Sequence, residues 1–144
     1  METVKAFVKS LWALLLFVWQ LPQNLLGLVL FAWYGQADNA VEGEYRGKHV
    51  LYSSAMRGGI SLGDYIILQA KYSYVKSTYI SQTHDHEYGH TRQSLYLGWL
   101  YLIIIGMPSI VWAWLHSSLN SLADKNYYAF YTEAWADKLG GVNR

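Results

Sequence analysis

The chain of 144 residues has no cysteine. No disulfide can staple it, and any metal it holds must be bound by histidine and carboxylate. It is also poor in charge. Charged residues make up 15%, against roughly 25% in ordinary soluble domains. The net charge is +1, so there is no basic field to draw a nucleic acid, and no nucleic-acid partner is expected. What replaces charge is apolar surface: 53% hydrophobic residues and 17% aromatics, with 7 Trp and 13 Tyr. These residues gather in two blocks, which points to a membrane-associated protein with lipid as one partner. The length suits a single domain, 1–144, with no internal repeat and no low-complexity segment.

The first block covers residues 1–34. Lys5 and Lys9 precede the apolar run Leu11 to Trp19, then Gln20-Leu21-Pro22-Gln23-Asn24, then Leu25 to Tyr34. No small-residue cleavage site follows the first run, so a removed signal peptide is not expected. The whole block is long enough to cross a bilayer, and neither half is. Pro22 cannot donate an N–H and must bend or break the helix. Gln20, Gln23 and Asn24 are costly against lipid unless paired. Three readings follow: a kinked span, a hairpin dipping into one leaflet, or a pair of core helices. Trp12, Trp19 and Trp33 fit a membrane interface as well as ordinary packing.

Residues 35–48 are polar and glycine-containing, which predicts a loop. His49 to Met56 predicts a strand, with Val50 and Tyr52 on one face and His49 and Leu51 on the other. Arg57-Gly58-Gly59 is a turn signal. Ile60 to Leu62, then Asp64 to Tyr72, predict a second strand after Gly63. The region 45–80 is therefore expected to form a small antiparallel sheet. It either supports a site or binds a substrate backbone along its edge.

Residues 86–90 carry the chemistry. They read His86-Glu87-Tyr88-Gly89-His90, the pattern H-E-x-x-H. On a helix, residues four apart share a face, so both imidazoles can grip one Zn²⁺. Glu87 then points at the position where water binds. A third ligand is needed, and Glu133-Ala-Trp-Ala-Asp137 supplies a candidate on a second helix. Glu133 completes a two-His, one-Glu site. Asp137, one turn later, can accept the other ring N–H of a ligand His and fix its tautomer. The motif helix is expected over about 83–105, capped by Ser81 or Thr83. The last helix is expected over 127–139, capped by Asn126 and ended by Gly140-Gly141. The bland alternative is a surface helix whose His and Glu are merely solvated.

H-E-x-x-H followed by E-x-x-x-D resembles the gluzincin group of metallopeptidases. The run His86 to Ser94, then Leu97-Gly98, Gly106 to Ser109 and Tyr128 to Glu133 is similar to a group of small bacterial membrane-associated proteins with metallopeptidase motifs. Their pattern is HEYGHxxQSxxLG, then GxPS, then FYTExxAD. Leu21 to Gly27 and Gly59 to Gly63 also look like segments of that group, so the likeness touches most of the chain. It implies a zinc-peptidase fold, a peptide or protein substrate, and a place in the bacterial inner membrane. It names no substrate and no side of the membrane. Asp85, before the first ligand, departs from the pattern at little cost.

Residues 95–115 look like one hydrophobic span, and that conflicts with the zinc site. A simple crossing would separate His90 from Glu133 by about 30 Å of hydrocarbon, whereas a zinc–ligand bond is about 2 Å. The break at Gly106 to Pro108 resolves this if the block is a helical hairpin that enters and returns. The expected architecture is α+β and mainly α: a zinc-peptidase-like core of two helices and a small sheet, with two apolar segments as span or hairpins.

The chemistry expected is hydrolysis of a peptide bond by metal-activated water, with Glu87 as general base. Oxyanion donors are sought among Tyr127, Tyr128 and Tyr131 on the last helix, or at His116; Tyr128 and Tyr131 are singled out as catalytic. His84 is expected to face solvent or cap the helix, and His49 to be an ordinary strand residue. Arg92 belongs to the helix surface, while Gln93 and Ser94 can order the site. The alternatives are a membrane metal-binding or accessory protein without catalysis, and a scaffold without metal. Glu87 argues against a purely structural site, which needs no base and usually has four protein ligands.

Overall fold

A computed structural model describes residues 1–73 and 82–144; Ser81, one of the two expected caps, lies outside them. The fold is α+β and mostly helical, with a small mixed sheet of four strands. In chain order the elements are α1 (Glu2–Trp19), α2 (Leu21–Tyr34), β1 (Val41–Tyr45), β2 (Lys48–Ser53), β3 (Gly59–Leu62), β4 (Tyr65–Gln69), α3 (Gln82–Leu97), α4 (Met107–Ser118) and α5 (Tyr131–Gly140).

The first block breaks where Pro22 predicts, and α1 and α2 meet at 88°. Pro22 sits in the first turn of α2, where its missing N–H costs nothing. The polar residues of the elbow are buried and tied to the motif helix. Gln23 Nε2 donates to Ser94 Oγ (2.9 Å) and to Gly98 O (2.9 Å), and Ser94 Oγ donates to Gln20 Oε1 (2.8 Å). Asn24 Oδ1 accepts from the Asp64 N–H at 2.8 Å. These partners offset much of the cost of burying the amide groups, with Gln23 Oε1 left unpaired. Trp19 Nε1 donates to Leu95 O and Trp99 Nε1 to Val18 O, which closes the elbow onto the end of α3. By contrast, α1 itself has no buried residue.

The sheet order is β1-β2-β4-β3, antiparallel except for the central β2–β4 pair, which is parallel. This corrects the all-antiparallel expectation. The chain leaves β2, passes to the outside as β3 and folds back as β4 beside β2, so β4 runs with β2 rather than against it. Residues 41–45, expected to be loop, form β1: Val41-Glu-Gly-Glu-Tyr45 is polar because it is an edge strand with three exposed central residues. One face of the sheet buries Tyr45, Val50, Tyr52, Ile66 and Leu68 against Tyr88 of α3. On α2, Phe31 packs edge-on to Tyr65 at 5.5 Å, and a Cβ on Gly27 would lie 2.7 Å from Leu62 O.

The motif helix ends earlier than expected, at Leu97, because Gly98 adopts φ +52°, a left-handed conformation that a side chain resists. The Trp19 ring lies over Gly98, leaving no room for a Cβ there. The chain then stays helical from Leu102 to Ser118, straight through Gly106 and Pro108. A π-turn over Leu102–Gly106 leads into α4 with Pro108 in its first turn, where proline is tolerated. The expected break at Gly106 is thus replaced by one at Gly98. The return leg is the irregular stretch between α4 and α5. His116 contacts Lys125 O (2.9 Å), Trp112 Nε1 donates to Tyr127 O (2.9 Å), and Tyr131 Oη donates to Ile104 O (2.6 Å). The chain therefore goes out along one helix and comes back beside it. Asn126 caps the short turn Tyr127–Ala129 rather than α5, its Oδ1 accepting from the Tyr128 N–H. Gly141, at φ +80°, ends α5.

Helices α3 and α5 pack backbone to backbone. A Cβ on Gly89 would stand 1.9 Å from Ala136 O, and one on Gly140 would stand 1.9 Å from Asp85 O. Gly89→Ala should therefore lose stability by about 1–3 kcal/mol, despite the roughly 1 kcal/mol gain in helix propensity. Gly106→Ala, whose Cβ would meet nothing nearer than Leu102 Cδ2 at 3.4 Å, should be neutral or stabilising. Urea midpoints of the two variants check this, and equal midpoints would refute the tight contact.

Candidate metal centre

The H-E-x-x-H pattern lies in the first half of α3, and its periodicity puts His86 and His90 on the face turned toward α5. There Glu133 and Asp137 occupy the matching turn. One ligand atom from each of His86, His90 and Glu133 lies within 4.8 Å of the other two, all buried. His86 Nε2 is 3.1 Å and His90 Nε2 3.5 Å from the same oxygen, Glu133 Oε2. The imidazole rings stand nearly perpendicular, at 87°.

Each remaining ring nitrogen has a partner that sets its proton. Asp137 Oδ1 is an acceptor, so His86 Nδ1–H donates to it, at 2.7 Å. Gln93 donates its Nε2–H to Thr132 O (2.7 Å), which turns its Oε1 toward His90 Nδ1, also at 2.7 Å. Both histidines thus carry a proton on Nδ1 and turn Nε2 lone pairs toward a carboxylate oxygen. Thr132 Oγ1 donates to Glu133 Oε1 (3.0 Å), leaving Oε2 for the histidines. Three acceptor atoms converge with no proton of their own between them when both rings are neutral. A divalent cation fits that donor set, and this group could hold a metal ion.

Without a metal, protons take the cation's place. Burial alone would push the His86 pKa down, but the hydrogen bond to Glu133, the Glu87 charge and Asp137 outweigh it and carry it up to about 9. Burial alone would raise the Glu133 carboxyl, yet the hydrogen bonds from His86 and His90 hold it well below the usual carboxylate range.

Glu87 is not in the ligand group. Its Oε2 accepts from Ser61 Oγ (2.7 Å), which is also 2.9 Å from Glu87 O. Tyr101 Oη in turn donates to Ser61 O at 2.8 Å. A Cβ on Gly59 would fall 2.2 Å from Glu87 Oε1, so the glycine makes room for the carboxylate. Glu87, both histidines, Glu133, Tyr127 and Tyr128 line one cleft of about 580 Å³.

The tyrosines divide. Tyr128 lies in the cleft, its ring edge-on to His86 at 5.2 Å. Tyr127 also lines it; burial, then the Glu133 and Glu87 charges, raise its pKa, so it stays an O–H donor. Tyr131 is placed elsewhere: it is half-exposed, is not in the cleft wall, and gives its hydroxyl to Ile104 O. His116 also lies outside, bound to Lys125 O. His84, expected at the surface, is buried with Nε2 2.9 Å from Tyr52 Oη. His49 is the ordinary strand residue expected, and it is exposed and stacked on Tyr65. Ser94 orders the elbow rather than the metal group.

Three contributors escaped the sequence. Ser61 sits on a strand far from the motif, and no spacing links it to Glu87. Thr132 was hidden beside the ligand it orients. Arg144 donates from Nε to Asp137 Oδ2 (2.9 Å) and lies 3.5 Å above the Tyr128 ring centre, a cation on the carboxylate that serves His86. Arg144 carried no pattern at all.

The pH response of the metal-free protein follows in sign. A histidine whose pKa rises on folding adds stability that is complete below its unfolded value, about 6.5, and is lost as pH climbs through about 9. A metal ion bound by His86, His90 and Glu133 would replace that proton. Chelated protein should therefore lose thermal stability between these values while zinc-loaded protein does not. Melting scans with chelator and with zinc test this, and a parallel decline in both would show that no ion competes for the site.

No family model, curated protein or solved structure matches the chain.

Proposed function

We propose that this chain is a zinc-dependent hydrolase of peptide bonds that works at a membrane, similar in its catalytic group to the gluzincins. One observation carries the reading. Two Nε2 atoms and one carboxylate oxygen converge on a point, while a second carboxylate, Glu87, faces the same cleft with Ser61 and not a ligand as its partner. A structural site would need a fourth protein ligand and no free base. Zinc suits the His/His/Glu set and, when bound, supplies a Lewis acid that lowers the pKa of water from about 15.7 to about 7.

The chain's own residues do the rest. Ser61 holds one oxygen of Glu87 and leaves the other to accept a proton from the attacking water and pass it to the leaving amine. Asp137 and Gln93 keep both imidazoles in the tautomer that faces the metal. Tyr127 and Tyr128 stand in the cleft wall as O–H donors for charge developing on the carbonyl oxygen. β3, which among the described residues is an edge strand paired to β4, also lines the cleft. Ile60 and Leu62 oppose Ile67 and Tyr65, and Gly58 O takes the Gln69 N–H. The alternation of ladder bonds then turns the peptide groups of Gly59 outward, where an extended substrate can add as a strand.

Membrane attachment is supported by surface. Among the described residues no single helix is long and apolar enough to cross a bilayer, though the bent α1–α2 pair has the length and composition together. Phe7, Trp12, Leu15 and Val18 of α1, Val29 and Trp33 of α2, and Ile103, Val111 and Trp114 beyond Gly98 are all exposed. We take these helices to rest in the membrane interface.

Glu87→Gln should keep one zinc per chain and lower hydrolysis of a casein or peptide-library substrate by about 10²–10⁴-fold. His86→Ala should lose metal and activity together. Elemental analysis with a hydrolysis assay reads both. Stoichiometric zinc with no cleavage by the native protein would favour the non-catalytic metal-binding reading, and unchanged activity in Glu87→Gln would end the proposed role of the base.

A further inference from the structure

The cleft is two-sided. It is lined by His86, Glu87, His90 and Glu133, and also by Leu26 and Leu30 of α2 and Leu102, Met107, Ile110 and Ala113 beyond Gly98. Among the described residues no lysine, arginine or aspartate lines it, and the charges it offers are those of the proposed catalytic group. Along the apolar walls a phosphate or a charged side chain would find no opposite charge among the described residues, and would lose its hydration on entering.

The rim is the second observation. Leu26, Met107 and Ile110 line the cleft and are also 42%, 61% and 59% exposed. They belong to two elements, α2 and α4. Along the same two elements the exposed residues include Leu25, Val29 and Trp33, and Val111 and Trp114. The cleft therefore opens onto the apolar surface that we assign to lipid, with no polar collar among these rim residues. A substrate arriving from water would have to pass this rim, while one already in the lipid meets a continuous apolar path.

Within the apolar wall there is one polar exception. Ser109 Oγ is buried and has no hydrogen-bond partner, and Ser109 lines the cleft. A buried hydroxyl left unpaired is costly. An acyl chain would leave it so, whereas an extended peptide has a backbone N–H or C=O for it. Gly59 also lines the cleft, and its outward peptide groups can pair with the same backbone.

Resting on the hydrolase reading, we infer that the substrate is an apolar segment of a membrane-held polypeptide. It enters sideways from the lipid between α2 and α4 and lies extended between β3 and Ser109. Specificity is then set by apolarity along the cleft, and not by any charged anchor.

Binding and cleavage are to be measured separately, so that the two readings fail separately. The full chain as Glu87→Gln, zinc-loaded in lipid nanodiscs, is titrated with two labelled peptides of equal length. One is a leucine- and alanine-rich membrane-inserting peptide, and the other a soluble serine- and glutamine-rich peptide. The apolar peptide should bind at least about tenfold more tightly, a difference of about 1.4 kcal/mol. Leu26→Asp with Ile110→Asp in that background should keep its zinc and lose the preference, and Ser109→Ala should weaken peptide binding without weakening a plain fatty acid. Equal or tighter binding of the soluble peptide overturns the inference, as does displacement of the apolar peptide by fatty acid together with indifference to Ser109→Ala. If the apolar peptide binds as expected but native protein never cleaves it, the hydrolase reading fails and the assignment of the cleft stands.

Discussion

Two helix backbones touch where Gly89 faces Ala136 and Gly140 faces Asp85, with no space for one more carbon on either glycine. That contact sets the reach of every group in the candidate centre. His86 and His90 are one turn apart on α3, and Glu133 and Asp137 are one turn apart on α5. At this separation short side chains span the gap without water between them. A wider spacing would leave buried carboxylates and imidazoles facing each other at distances where neither hydrogen bonding nor a shared cation could offset their desolvation. The link at the edge, Gln93 to Thr132, depends on the same spacing.

Around that contact the fold keeps polar and apolar burial apart in an unusual way. The polar interior is dense: among the described residues the buried side-chain atoms without a partner are Gln23 Oε1 and Ser109 Oγ. The apolar residues, in contrast, are largely outside, along α1, α2 and the helix beyond Gly98. A water-soluble domain of this size usually does the reverse, since burying apolar area is its main stabilising term. Here the small sheet supplies a conventional core on one face, and the exposed apolar helices gain their stabilisation only if something apolar covers them.

The sequence made the local parts of this arrangement legible. Spacing of four on a helix is short-range information, so His86 with His90, and Glu133 with Asp137, could be placed on faces before any fold was known. That the two pairs meet came from their joint pattern. Pro22 announced the elbow for the same local reason. What stayed hidden depends on packing between distant segments. Gly98 ends the motif helix because the Trp19 ring lies over it, and a helix-breaking conformation at one glycine among 12 has no distinct sequence signal. Pro108 looked like a breaker and is accommodated by a π-turn. The strand order turns on which side β3 takes, and hydrophobic alternation is blind to that. Tyr127 and Tyr131 are four apart and chemically alike. Only the path of the return leg decides that one enters the cleft while the other caps Ile104 O.

The elbow between α1 and α2 also acts as a ruler. The two axes meet at 88°, and the joint is locked from three sides, by Gln20 and Gln23 to Ser94, by Trp19 to Leu95, and by Asn24 to Asp64. An 18-residue helix such as α1 is about 27 Å long, enough to set a direction on a surface. If, as proposed, α1 lies flat on a membrane, α2 is forced upright, and the sheet and the α3–α5 pair that hang from it take a fixed height and tilt relative to that surface. The depth at which the His86–His90–Glu133 group sits is then a property of the joint, not of any contact the centre itself makes. Loosening Gln23 from Ser94 would let the centre rise, sink or roll with every ligand atom still in place.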